Sequence, residues 1–308
     1  MLIAFHSSIS QNTSVEPVVL VALSLADRGF RTLLLDLTID PTAPTMLLED
    51  GMPRRAPKPC YGDVVRGTCT VSEAIVRCRD TGLHILRGGT TEEALRYDGR
   101  RQDRLAEIAL PEQITAARQG FDLTLVALPD RMRPEVTLVL PQVDGMVLVL
   151  DPSAQGRRSL RHYFEYAYQH PDFRLAPLIG ALVYGRTAPE PKTTAFFSQQ
   201  FGKVLLPGLV QADDAEIAVF AGLPLEHVSS NPRDAQAMGR VVDELQHRLY
   251  ARGGIPSLTA CRETPDRRPL TEAERRALQG EFQWHMDKTV DDTIGQILSE
   301  SHQGVRAQ

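Results

Sequence analysis

Apolar and polar positions along the chain alternate between short buried runs and helical stripes. Leu2-Ile3-Ala4-Phe5 reads as a buried strand. After a polar stretch, Pro17 opens a helix in its first turn, and Val18 to Ala26 carry it to Gly29, a C-terminal stop. Arg31-Thr32-Leu33-Leu34-Leu35-Asp36 is a second strand, apolar enough to be covered on both faces as in a parallel sheet. Together these pieces form a βαβ unit, whose crossover is right-handed.

Residues 37–60 are interrupted by Pro41, Pro44, Pro53, Pro57 and Pro59, and 63–78 carry apolar residues at helical spacing around Gly67. Leu83 to Gly89 is a third strand ending in a glycine turn. Residues 91–118 predict a charged helical stretch, in which Arg96, Arg100, Arg101 and Arg104 are diluted by Glu92, Glu93, Asp98 and Asp103. Further strands are predicted over 121–128, 143–150, 177–184 and 203–206, with helices over 157–169, 192–201 and 233–250. Strands and helices that alternate in this way specify a doubly wound, mostly parallel α/β sheet with helices on both faces.

Gly253-Gly254-Ile255-Pro256 reads as a hinge, which divides the chain into a domain over 1–252 and an extension over 253–308. The extension opens as a polar linker over 257–270. A helix follows from Thr271 to about Ser299, on which Leu278, Phe282, Met286, Val290, Ile294 and Leu298 recur every four residues. Its other face is mixed and mildly acidic, where a membrane-surface helix wants Lys and Arg. The stripe is read as docking on a partner protein or back on its own domain.

Composition narrows the function classes. A formal net charge of −5 argues against a dedicated nucleic-acid binder. Cys60, Cys69, Cys78 and Cys261 are too scattered for a zinc knuckle and too few for a disulfide scaffold, so reduced thiols and a cytoplasmic location are expected. No secretory leader and no membrane-length apolar run is read, and the histidines contain no metal-binding pair.

The candidate chemistry centres on residues 6–17, which lie between the first strand and the first helix. A mononucleotide-binding fold keeps its phosphate loop there, and that loop needs glycines and a lysine. This stretch has neither, and Glu16 would repel a phosphate. Asp36 ends a strand where doubly wound folds hold ligands, although a solvated or capping carboxylate is the plainer reading. His6, Ser7, Ser8 and Ser10 lack the glycines of a nucleophile elbow. Arg157, Arg158 and Arg161 stand among His162, Tyr163, Phe164, Tyr166 and Tyr168. That pattern suits either a nucleic-acid contact or a charged edge whose aromatics pack on the sheet.

The order of elements over roughly 1–250 resembles the ParA/MinD family of deviant-Walker P-loop ATPases. The resemblance rests on Ala26-Asp27-Arg28-Gly29 before the strand Arg31 to Leu37, on Tyr61 to Gly67 with Val71 to Ile75, and on Leu83 to Gly89. It continues in Phe121 to Pro129, which resembles the Walker B strand, and in Leu206-Pro207 followed by Ala215 to Leu225. The family's phosphate-loop segment falls on Ile9 to Glu16. The resemblance therefore marks Ser10, Gln11, Asn12, Thr13, Ser14, Val15 and Glu16 as degenerate nucleotide-site positions, with Val15 in the magnesium-ligating hydroxyl's place. The Walker B acid falls on Ala127 and the second switch acid on Thr38, while Asp36 is kept. The residue that reads adenine falls near Val183-Tyr184.

The expectation from these replacements is a pseudo-ATPase: no enzyme activity, no cofactor, and action through protein partners. Family members dimerise around ATP and position bacterial cargo such as plasmids, division machinery, pili and secretion complexes. The partner would accordingly be a second copy, an active relative or a cargo protein. An ATP-dependent positioning ATPase with an unconventional phosphate loop and a non-specific DNA-binding module are the alternatives.

Overall fold

The computed structural model describes residues 1–7, 15–38, 59–78, 82–88, 110–128, 134–169, 177–185, 189–210, 214–253, 269–284 and 288. The chain forms two compact units, Met1–Arg267 and Arg268–Gln308.

The first unit is built on β1 (Leu2–Ser7), β2 (Thr32–Asp36), β3 (Val76–Arg77), β4 (Leu83–Leu86), β5 (Leu123–Ala127), β6 (Gly145–Leu150), β7 (Leu178–Gly185) and β8 (Leu209–Val210). These make one sheet in the order β3-β4-β2-β5-β1-β6-β7-β8. Every pairing is parallel except that of β3 with β4. The helices are α1 (Val15–Asp27), α2 (Tyr61–Val65), α3 (Val71–Ala74), α4 (110–117), α5 (Pro134–Val139), α6 (Ala154–Gln169), α7 (Pro191–Phe201), α8 (Ala215–Ala221), α9 (Leu225–Val228) and α10 (Pro232–Ala251). This is the predicted doubly wound α/β class.

All six residues of β1, all five of β2 and of β5, and all six of β6 are buried, as strands covered on both faces must be. Leu2, Ala4, Leu33, Leu35 and Val126 join a core with Tyr61, Val71, Leu110, Ile114 and Val136, which places α2–α5 on that face. Leu148, Leu150, Ala181 and Val183 continue the layer against Leu160 of α6 and Phe197 and Phe201 of α7. The alternate residues face the other layer, where α1 contacts α8, α9 and α10. Helix α1 begins at Val15, with Pro17 in its first turn as expected, and stops at Asp27, two residues before Gly29, whose φ of 90° an L side chain would resist.

The helical spacing over 63–78 is divided at Gly67, as read from the sequence, and the φ there is 70°. Helix α2 lies before it, and a capping box of Thr70 and Glu73 starts α3 after it. Two stretches differ from the expectation. Val76 and Arg77 then pair antiparallel with β4. The strand predicted over 203–206 is a 3₁₀ turn, Gly202–Val204, followed by one bridge between Leu205 and Ala181, and the edge strand lies further on at Leu209–Val210. Arg248 gives the reason. Its guanidinium donates to the carbonyls of Ile179 (2.8 Å), Val204 (2.7 Å), Lys203 (2.9 Å) and Leu205 (3.2 Å), leaving those of 203–205 spoken for. Glu244 holds the same guanidinium from one helical turn away at 2.8 Å.

A polar clasp fixes the end of α1 to the helices over it. Ser24 Oγ donates to Glu226 at 2.9 Å, His227 Nε2 meets Asp27 at 2.9 Å, and Arg28 reaches Asp243 at 2.6 Å and Gln246 at 3.0 Å. Burial pushes the Glu226 carboxyl above its ordinary range, against the pull of Ser24, Arg28 and His227.

In the second unit, Thr271 and Glu274 form another capping box that starts a helix over 272–284. Leu278 and Phe282 are half-buried on it, and Trp284 is exposed. Met286, Val290, Ile294 and Leu298 lie outside the described residues, as do Arg96, Arg100, Arg101 and Arg104 in the first unit. Among the described residues no helix is long and apolar enough to cross a membrane.

Replacing Arg248 with Ala strands several carbonyls at once. It is expected to cost about 2–4 kcal/mol in a urea titration, with Lys recovering little of it because an ammonium lacks the fork. Glu226→Gln tests the clasp. The raised carboxyl binds its proton more tightly in the folded than in the unfolded chain, so stability falls as pH rises from the ordinary carboxylate value through the raised one. The Gln variant should therefore melt higher than wild type at pH 7, and the gain should vanish near pH 4.

Candidate functional site

The carboxyl ends of the central strands and the start of α1 meet at one edge of the sheet. Asp36 is in register with Ala127 on β5, and Ala127 with Phe5 on β1, so three strands contribute one row. Strand β1 ends with His6 and Ser7, each 1% exposed, and Val15 is the first residue of α1. Ser10, Gln11, Asn12, Thr13 and Ser14 lie outside the described residues.

Asp36 is neither solvated nor a helix cap. It is fully buried, and its Oδ1 accepts from the backbone N–H of Thr38 at 2.9 Å and from the Thr38 hydroxyl at 2.5 Å. A carboxylate folded onto the backbone two residues on is an Asx turn, here sealed inside the protein. Gly88 closes the other side. A Cβ at Gly88 would lie 2.8 Å from Asp36 Oδ2 and 2.8 Å from the Thr38 carbonyl oxygen, so only glycine fits beside the carboxylate. Arg87, at the end of β4, is buried next to it in sequence, and its carbonyl accepts from Tyr61 N–H at 2.9 Å. Asp36, Thr38 and Ala127 are thus brought together as the resemblance implies. Thr38 binds Asp36 instead of facing outward, and Ala127 contributes only a methyl group to the row.

On the α6 face, His6 stacks at a tilt on Tyr163, with ring centroids 5.4 Å apart. Burial pushes the Tyr163 hydroxyl pKa up, and that hydroxyl donates to Met146 Sδ at 3.6 Å. On the α1 side, half-buried Glu16 lies in the helix's first turn. Tyr184 lies near the end of β7 and is 3% exposed. Burial raises the Tyr184 hydroxyl pKa most, and the carboxylates of Glu16 and then Glu216 push it the same way. Among the described residues no three metal-ligating side chains cluster. Asp36 Oδ1 is committed to Thr38 and Ala127 carries no donor atom, so the described residues of this edge do not make up a magnesium-binding set.

The three arginines on α6 are dispersed. Arg157 hydrogen-bonds the Thr193 hydroxyl of α7, Arg161 pairs with Glu165 at 3.1 Å, and Arg158 is exposed. Phe164 and Tyr168 are exposed beside them, while Tyr163 turns into the sheet. Cys60, Cys69 and Cys78 are free thiols, and burial pushes Cys78 up to about 12, far from a nucleophile's range. Cys261 lies outside the described residues.

Sequence reasoning missed one member of the site. The Gly88-Gly89 pair after a strand announced a turn, but the need for glycine against Asp36 is a contact across strands.

No protein-family model and no curated protein sequence matches the chain. Solved structures do. The cell division ATPase MinD of Pyrococcus furiosus aligns with a TM-score of 0.57 at 18% identity, covering 79% of this chain and 98% of that one. McdA of Cyanothece in complex with ATP aligns at 0.60 and 11% identity, covering 80% and 96%. The MinC:MinD cell division protein complex of Aquifex aeolicus aligns at 0.56 and 14% identity, covering 81% and 96%. These likenesses establish the fold as that of the MinD/ParA type of P-loop ATPases. They also overturn the expectation that the chain is not an enzyme: proteins of its fold include a described ATPase and one holding ATP, and replaced loop residues do not by themselves demonstrate lost catalysis.

Gly88→Ala is expected to expel Asp36 from its turn and cost about 1–3 kcal/mol in chemical denaturation, the usual range for overpacking a filled site. Gly120→Ala, where an added Cβ meets nothing within 4 Å, serves as the neutral control.

Proposed function

We propose that this chain is a ParA/MinD-like positioning protein, which holds a protein partner in place and responds to nucleotide through an unconventional phosphate loop. The observation that carries this is the agreement of sheet order and α1 placement with that fold across about four-fifths of the chain. In such a fold, ligands bind outside the carboxyl ends of the strands where the strand order reverses. Here β1 neighbours β5 and β6 there, and α1 starts beside it, with the helix dipole directed at that edge.

Partner binding is the second half of the reading. One structural neighbour is a complex between two cell division proteins. The partner of this chain is a second copy, an active relative or a cargo protein of a bacterial assembly such as a secretion or pilus machine. The helix over 272–284 with its continuation is the segment outside the α/β unit that suits docking. Because the magnesium-holding positions are changed, nucleotide binding should be weak and hydrolysis slow.

Calorimetric titration with ATP and Mg²⁺, run beside light scattering and a phosphate-release assay, tests the proposal. Saturable binding that shifts the oligomeric state or the capture of a partner is the expected result. No binding up to millimolar nucleotide, with an unchanged mass, rejects the nucleotide response.

A further inference from the structure

We propose that the seam between α6 and α7 is a docking groove for an acidic amphipathic segment of a partner protein. Its carboxylates meet Arg158 and Arg161, and its apolar side chains cover Phe164 and Tyr168. The groove gives a surface to the partner half of the function proposed above, and rests on that half of the reading.

Helical spacing lays out the surface. Positions 157, 161, 164 and 168 of α6 follow one another at steps of four, three and four, so they share one face of the helix. Arg157 hydrogen-bonds Thr193 near the start of α7, and Phe164 meets Phe201 at its end, with ring centroids 6.1 Å apart. The two helices therefore run side by side in the same direction, with Leu160 and Phe197 buried in the core below them. The seam is cationic where the helices begin and aromatic where they end.

The aromatic end is held in place and left open. Among the described residues of the first unit, Phe164 and Tyr168 are the large hydrophobic side chains that stay exposed, at 44% and 74%. They stand one turn apart, whereas a surface ordinarily scatters such residues singly. Phe164 is not loose: Tyr163 meets it edge-on at 5.8 Å, in addition to its contact with Phe201. A ring already fixed by its neighbours loses little entropy when it is covered, which is the character of a binding anchor.

Charge selects the occupant. Helices α6 and α7 carry Arg157, Arg158, Arg161 and Lys192 against one acid, Glu165, in a chain whose net charge is −5. Arg158, Arg161 and Lys192 are exposed. The pair that Arg161 makes with Glu165 at 3.1 Å is a surface pair of the weak kind, which a partner's carboxylate can replace. A second copy laid face to face on this seam would meet the same excess of positive charge. A nucleic acid needs cations along its whole track, but those of α6 stop at Arg161 and Glu165 follows. A segment with acids at one end and apolar side chains at the other matches both halves.

Fluorescence anisotropy on the full chain tests the groove with three labelled probes. One is a synthetic helix-forming peptide with Glu and Asp in its first half and Leu and Trp in its second. Another is the same peptide with Gln and Asn for its acids, and the last is a single-stranded oligonucleotide of equal length. Tyr168→Ser and Arg158→Glu change exposed side chains only, and thermal melting confirms that each variant folds. Wild type should bind the acidic peptide, more weakly as salt rises, and about tenfold more tightly than the neutral one. Tyr168→Ser should lose about tenfold or more, as a central aromatic anchor does, and Arg158→Glu about tenfold. Unchanged affinity in both variants, or no peptide binding by wild type, overturns the groove. Tighter binding of the oligonucleotide, lost in Arg158→Glu, gives the seam to nucleic acid and overturns it too. So does a dimer in light scattering that Tyr168→Ser abolishes while the peptide fails to bind, which gives the seam to a second copy. If the peptide fails while ATP still shifts the wild-type chain's mass or its partner capture, the groove is rejected and the positioning reading stands; failure in both experiments rejects both.

Discussion

Strand β1 is hydrogen-bonded to β5 on one side and to β6 on the other, and all six of its side chains are covered. A strand in that position has its backbone donors and acceptors committed to two ladders and its two faces committed to two helical layers. The chain must therefore leave it at the carboxyl end, cross over through α1 and return at the amino end of β2, on the far side of β5. Helix α1 starts where it does because of that geometry. The edge where Asp36, Ala127, His6 and Ser7 meet is set by β1 before any of those residues contributes its chemistry.

Much of this was legible in the chain. Leu33-Leu34-Leu35 and Val147-Leu148-Val149 have no polar alternation, which is the mark of strands covered on both faces, and Gly29 marked the end of α1. The break at Gly67 between α2 and α3 was legible too. Residues 203–206 were not: they are apolar enough for a strand, but the carbonyls of 203–205 are taken by Arg248, 43 to 45 residues downstream. Asp36 was harder still, because a carboxylate at a strand end is ordinarily wet. Its burial depends on Thr38 folding back onto it and on Gly88 of a neighbouring strand's end leaving room, and neither contact has a spacing signature.

The site's departures from the fold's usual chemistry are physically coupled. Where an acid would stand on β5 there is Ala127, and the adjacent acid on β2 has turned inward to hold Thr38. With a second carboxylate at Ala127, Asp36 would face a like charge in a buried place, which costs heavily unless a cation lies between them. An alanine at position 127 lets Asp36 be buried against the two donors of Thr38. The replacements at positions 38 and 127 thus belong to a single rearrangement, in which Gly88 is the third part.

The fold rests elsewhere. One face of the sheet is packed through Leu2, Leu35, Val126, Leu148 and their helical partners. Stability resides in that layer, in the α1 layer opposite, in the Arg248 junction and in the clasp at the end of α1. The edge is a place where the strands stop, and its residues answer to whatever binds there more than to folding. At this rim the strands themselves supply the Asp36–Thr38 turn and the Gly88 that seals it, so what the edge offers a ligand is set by the ends of β2 and β4 as much as by the start of α1.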